Sequence, residues 1–183
     1  MPTKPSHAFA FLLGFAIGIW IFLPLAAPPA FSGEVAPAAR AAPARDPELT
    51  RMEQALVEAV NRFRAENHKI ALARRADLDA VARGHSDDMA GRHYLSHQAP
   101  EGGNWVDRLE AARVDGFSMA GENVGMTTKA DPNGEILQGW IHSPAHRENL
   151  LNAPYNATGL GIARSSDGAL YYTQLYLSFP KDE

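Results

Sequence analysis

Two histidine pairs in this chain have a spacing that can do chemistry. His142 and His146 stand four apart in "HSPAH", and His93 and His97 do the same in "HYLSH". Four is the interval of H-E-x-x-H, in which two imidazoles on one helix face hold zinc and the glutamate activates water. Neither pair has that glutamate; Ser143 and Tyr94 take its place. Pro144 removes a backbone amide and clashes with the preceding turn, so His142 and His146 straddle a helix break. His93 and His97 lie just past Gly91, where the chain leaves its helix and the interval no longer brings side chains together.

What remains is a long-range group. His97, Glu122 and His146 each lie in or beside a loop or a helix start. Two imidazoles and a carboxylate can hold a divalent metal such as zinc, with a position left for water. They can equally form an acid–base pair. His97 and His146, with Glu122, are the candidate metal ligands, and Glu122 and His146 the candidate catalytic groups. Ser96 and Ser143 adjoin histidines, but Ser143 is better used as a helix cap, so no nucleophile is evident. His85 lies on the apolar stripe of a helix and reads as a core histidine bonded to backbone. His142 reads as a bystander.

These side chains need elements to position them. Asp46 caps a first helix, with Pro47 at its first position. Leu49, Met52, Leu56, Val60 and Phe63 form its apolar stripe, and it fades near Asn67–His68. A second helix runs from about Asp77 to Gly91. "YLSHQAPEGGN" is loop, and "WVDRLEAARV" is a short helix closed by Gly116. The glycines of "SMAGENVGM" predict a tight turn or a short irregular strand around Asn123. "DPNGEILQGWIH" is a further helix, stopped by Ser143 and Pro144, which also start the next, "SPAHRENLL". "TGLGIARS" and "ALYYTQLYLSF" flank "SDG" as a hairpin. Helices first and an antiparallel hairpin last predict an α+β domain, with helices packed on a small antiparallel sheet.

Composition narrows the setting. The chain has 183 residues, 45% hydrophobic and 21% charged, enough apolar bulk for one sizeable core. A net charge of −4 argues against a nucleic-acid partner. With no cysteine, disulfides, thiolate metal sites and a cysteine nucleophile are excluded. Lys4 precedes an uncharged apolar run from Ala8 to Ala27. Residues 1–27 therefore read as a signal peptide or an N-terminal membrane anchor. Residues 28–45 read as a Pro/Ala-rich linker, and residues 46–183 as one domain.

The segments "VNRFRAE", "LDAVARGHSDDM", "YLSH", "GENVGM", "WIHSPAHRENLLN", "TGLGIA" and "YYTQLY", in this order, resemble the CAP superfamily. That superfamily comprises cysteine-rich secretory proteins, antigen 5 and plant pathogenesis-related proteins. The match is strongest to its bacterial, SCP-like extracellular branch, and covers about Leu49 to Phe179. The resemblance implies an α-β-α sandwich, with a small antiparallel sheet between helical layers. It implies a cleft of two histidines and two acidic residues that binds a divalent metal in some members. His97 matches the first histidine, Glu122 the first glutamate and His146 the place of the second histidine. The second glutamate falls at Ser143, counting from Trp140, so the complete set is not matched. Beside these, Trp140 and Leu150 are expected in the core, Asn123 bonding backbone around the Gly121–Gly125 turn, and Gln174 lining the cleft from the sheet. Arg147 is expected on a solvated helix face or paired with a carboxylate.

Three functions follow as expectations. The first is a secreted or periplasmic binding module, with or without a membrane tether, whose cleft takes a lipid, glycan or cell-wall ligand, with a metal modulating the fit. The second is a non-catalytic envelope scaffold. The third is a zinc-dependent hydrolase using the same cleft. The sequence leaves open whether the chain is an enzyme.

Overall fold

The computed structural model describes residues 45–180. The expected signal or anchor and nearly all of the linker lie outside the described residues. Among those described, no helix is long and apolar enough to cross a membrane.

Helix α1 (Pro47–Glu66) starts where Asp46 accepts a bond from the Glu48 amide. Strand β1 (Ala73–Arg74) leads to α2 (Ala76–Arg92), and α3 (Trp105–Ala111) follows after a loop. Strand β2 (Met119–Thr127) precedes α4 (Pro132–His142) and α5 (Pro144–Leu151); β3 (Ala157–Arg164) and β4 (Leu170–Ser178) close the chain. The sheet order is β1-β3-β4-β2. The β3–β4 hairpin and the β2–β4 pair are antiparallel. β1 adds a two-residue parallel pairing that the sequence did not reveal. The result is α+β as expected, with a mixed sheet.

Side-chain alternation sorts the layers. Leu160, Ile162, Tyr172 and Tyr176 point from the sheet into a core with Leu56 and Val60 of α1, Trp140 of α4 and Leu150 of α5. Leu175 and Leu177 point to the other face, against Leu78, Val81 and Ala82 of α2 and Leu109 of α3. Trp140 and Leu150 are thus core residues, as expected. On β3, a Cβ at Gly159 would meet the Leu78 carbonyl carbon at 2.2 Å, and one at Gly161 the Arg83 amide nitrogen at 2.2 Å. The glycines of "TGLGIA" therefore let α2 rest on the β3 backbone.

Of the two readings of "SMAGENVGM", the turn is corrected and the strand is found, though longer and more regular than expected. β2 is regular over nine residues, each opposite a partner on β4. Its glycines serve close approach instead. A Cβ on Gly121 would lie 2.5 Å from the Tyr155 hydroxyl, and one on Gly125 would lie 2.8 Å from Ile136. Likewise α3 ends at Ala111, short of Gly116, because the chain turns inward there to bury Val114.

Side chains close both edges of the sheet. Past β1, the outward amides of β3 donate to carboxylates: Leu160 to Asp79 at 2.9 Å and Ile162 to Glu53 at 3.2 Å. Glu53 is fully buried on α1 and pairs with Arg45, Arg74 and Arg83. On β2, the Glu122 carbonyl accepts from Asn149 at 3.1 Å and the Val124 carbonyl from the Trp140 indole at 3.0 Å. Arg64 is also fully buried, and its guanidinium donates to the carbonyls of Ile70, Leu150, Asn152 and Tyr155. It thereby ties the end of α1 to the end of α5.

Candidate functional site

Glu122 sits at the centre of the site. Its side chain leaves β2 toward the α2–α3 layer and is fully buried. Oε1 accepts from Nδ1 of His97 at 2.9 Å, and Oε2 accepts from Nη2 of Arg108 at 2.6 Å. Each partner is held in place. Arg108 belongs to α3, whose start is fixed by a reciprocal capping box between Asn104 and Asp107. Its other terminal nitrogen donates to the His97 carbonyl at 3.3 Å, while its Nε is buried without a partner. His85, on α2 and 2% exposed, bonds the Ser96 carbonyl at 2.8 Å and so fixes the residue before His97. The expectation for His85 as a core histidine bonded to backbone is met.

A carboxylate only accepts, so Nδ1 of His97 carries the proton. In the neutral ring Nε2 is then a bare acceptor. The side chain is 46% exposed and borders a cleft of about 760 Å³. Trp105, Val106, Leu95 and Val124 give the cleft apolar wall, and His146 completes it from α5. Burial pushes the His146 imidazole below its usual range, and the neighbouring His97 adds to this. His146 is therefore neutral at neutral pH.

His97, Glu122 and His146 thus come to one place, but not as a three-ligand set. Both oxygens of Glu122 are engaged, and its full burial leaves their remaining lone pairs no route to the cleft. Among the described residues no group of three or more histidines and carboxylates could hold a metal ion. The zinc expectation that used Glu122 as a ligand does not fit this geometry.

Gln174 is not brought to the group. It lies opposite Asn123 on β4, on the other face of the sheet from Glu122. It is fully buried, donates to Thr158 and accepts from Tyr176. Asn123 shares that face and holds α5 rather than a turn. It donates to the His146 carbonyl and to the Tyr176 hydroxyl, and accepts from Asn149 at 2.9 Å. That contact places the backbone of His146. Ser143 joins α4 to α5 in an extended conformation, but its hydroxyl makes no cap bond, so Pro144 and the backbone provide the punctuation. His142 bonds the Gln138 carbonyl of its own helix. Arg147 is half-buried and stands over the Phe63 ring at 5.2 Å; among the described residues it pairs with no carboxylate.

The sequence reading missed Arg108, Trp105 and Asn149. For Asn149 a signal existed, since it stands one helical turn after His146 and shares its side of α5.

The sequence pattern of the Cysteine-rich secretory protein family (CAP) matches residues 57–176. The uncharacterized membrane protein YlbC of Bacillus subtilis is 34% identical over 128 residues, covering 70% of this chain and 35% of that protein. The uncharacterized protein YkwD of the same organism is 30% identical over 113 residues, covering 62% of this chain and 43% of that protein. The chain thus spans less than half the length of these curated relatives. The crystal structure of an extracellular protein containing a SCP domain from Bacillus anthracis superimposes with a TM-score of 0.63 at 32% identity, over 75% of this chain and 45% of that one.

Proposed function

Because the chain belongs to the cysteine-rich secretory protein (CAP) family, we propose that it acts outside the cytoplasm as a binding module for an envelope lipid, glycan or cell-wall fragment. The location is supported by the apolar N-terminal run, by YlbC being named a membrane protein and by the Bacillus anthracis relative being an extracellular one. One observation carries the binding reading. Glu122, buried between His97 and Arg108, works as a positioning group, and turns an imidazole acceptor toward a cleft walled by Trp105.

The bonding inventory suits a ligand that is part polar and part apolar. Nε2 of His97 accepts from a hydroxyl or amide. Neutral His146 offers one donor and one acceptor. The Trp105 indole presents a flat apolar face, on which a sugar ring or an acyl chain packs. Among the described residues, no serine or threonine hydroxyl is hydrogen-bonded to the His97 or His146 ring.

The test is titration of the purified full chain, in detergent, with soluble cell-wall fragments and with vesicles of bacterial envelope lipid. Saturable binding that His97→Ala and Trp105→Ala each weaken at least about tenfold, equivalent to about 1.4 kcal/mol, supports the reading. Binding at background, or binding indifferent to both substitutions, overturns it and favours the scaffold.

A further inference from the structure

The site holds a cation that the family resemblance does not lead one to expect. A cleft of two histidines and carboxylates is suited to a divalent metal. Here the guanidinium of Arg108 lies 2.6 Å from the inner carboxylate, where such a metal would draw on Glu122. We infer that Arg108 is the residue that sets the specificity of this cleft. It closes the cleft to divalent cations and reserves His97 as a hydrogen-bond acceptor for an uncharged, hydroxyl-bearing ligand.

Three features support this. A fixed positive charge on Oε2 occupies the carboxylate and repels a second cation in a partly buried site, where charges are weakly screened. Arg108 is built in rather than loosely apposed. Its side chain is 20% exposed, it bonds both Glu122 and the His97 carbonyl, and the capping box of α3 fixes its helix. Finally, the Nδ1–H of His97 is committed to Oε1, so any ion would have to be held by Nε2 of His97 and by His146 alone. Two neutral imidazoles without a carboxylate make a weak site beside a guanidinium. The same arrangement favours a hydroxyl, which donates to Nε2 and brings no charge. Arg108 is thus a positioning residue, acting on the ligand through Glu122 and His97.

This inference rests on the cleft at His97 being the binding cleft. Its test nevertheless separates the two ideas, because the probe is the metal alone. Zinc is titrated against wild type, Arg108→Gln and Arg108→Glu, with a chromophoric chelator as competitor. The His97 and His146 ring nitrogens are followed by long-range proton–nitrogen correlation spectra. The wild type is expected to leave both rings unmoved at zinc concentrations that saturate the variants. Arg108→Gln removes the positive charge beside Glu122 and Arg108→Glu reverses it, so each is expected to bind at least about tenfold more tightly. Adding His97→Ala to either variant should abolish the gain. Zinc that perturbs His97 in the wild type as strongly as in the variants overturns the inference, whatever the outcome with wall fragments or lipid. If the Arg108 variants do not fold, the wild-type spectra decide by themselves. Unmoved imidazoles uphold the exclusion, and shifted ones refute it.

Discussion

Replacing Glu122 by glutamine changes one atom at the centre of the site and has two separate consequences. The amide keeps the shape of the carboxylate. Its oxygen can still accept from Arg108, but its nitrogen must then face Nδ1 of His97, which accepts only after losing its proton. The proton moves to Nε2, and the nitrogen facing the cleft turns from acceptor to donor. The energy follows from the two bonds that lose the carboxylate's charge, at 2.9 Å and 2.6 Å on a fully buried side chain, the second keeping the charge of its guanidinium donor. A charge-assisted bond contributes about 1.5–3 kcal/mol against about 0.5–1.5 for a neutral one, so the two together lose about 2–3 kcal/mol. Partial exposure of Arg108 keeps the loss below the about 3–5 kcal/mol that follows breaking a buried pair. For a domain of this size each kcal/mol moves the melting temperature by about 3–4 °C, so Glu122→Gln is expected to melt about 6–12 °C lower. Calorimetry gives that figure, and nitrogen correlation spectra at pH 7.5 report which ring nitrogen of His97 bears the proton. A melting point within about 2 °C of wild type, or an unchanged His97 tautomer, would refute the reasoning.

Other perturbations test the frame around the site. Gly161→Ala forces a Cβ to within 2.2 Å of the Arg83 amide nitrogen, backbone against backbone, so urea melts should show a loss of at least about 3 kcal/mol or no folded protein. Arg64→Met strips the donors from the buried carbonyls of Leu150 and Tyr155, and is expected to cost about 2–4 kcal/mol in the same assay, with Arg64→Lys intermediate. Acid should weaken the fold through two of its histidines. Burial, then Arg108, holds the His85 imidazole below its usual range, and burial does the same for His146. The unfolded chain therefore binds protons near pH 6.5 that the folded chain refuses. Stability is full above that pH and falls as pH drops below it, by up to about 1.4 kcal/mol per pH unit for His85. Melts between pH 7.5 and 5.5 give the slope, which should be shallower in His85→Gln; an equal slope would count against this account.

Much of the frame was readable from local rules. Asp46 with Pro47, the break at Ser143–Pro144 and the "SDG" hairpin each follow from backbone chemistry within a few residues. His97, Glu122 and His146 were also found, because each lies in a segment with a recognisable neighbourhood, although Glu122 sits within β2 rather than beside a loop. What was not readable depends on registers set at long range. The strand parity that sends Gln174 away from Glu122 is fixed only once β2 pairs with β4. The glycines flanking Glu122 suggested a turn, since in sequence a glycine required by a neighbouring side chain looks the same as one required by a positive φ. Arg108 gave no signal because its partner lies 14 residues away on an element from another layer. Its role emerges only when α3 is docked against β2.

The closed sheet edges bear on how this chain can meet other proteins. Strand addition, in which a partner's extended segment joins an exposed edge, needs a row of free amides and carbonyls. Asp79 and Glu53 occupy that row on β3, and Asn149 and Trp140 occupy it on β2. A peptide seeking either edge would have to displace buried carboxylates held by arginines, or an indole in the core. Strand addition is thereby disfavoured at these positions of either edge. The same side chains disfavour edge-to-edge aggregation of identical chains.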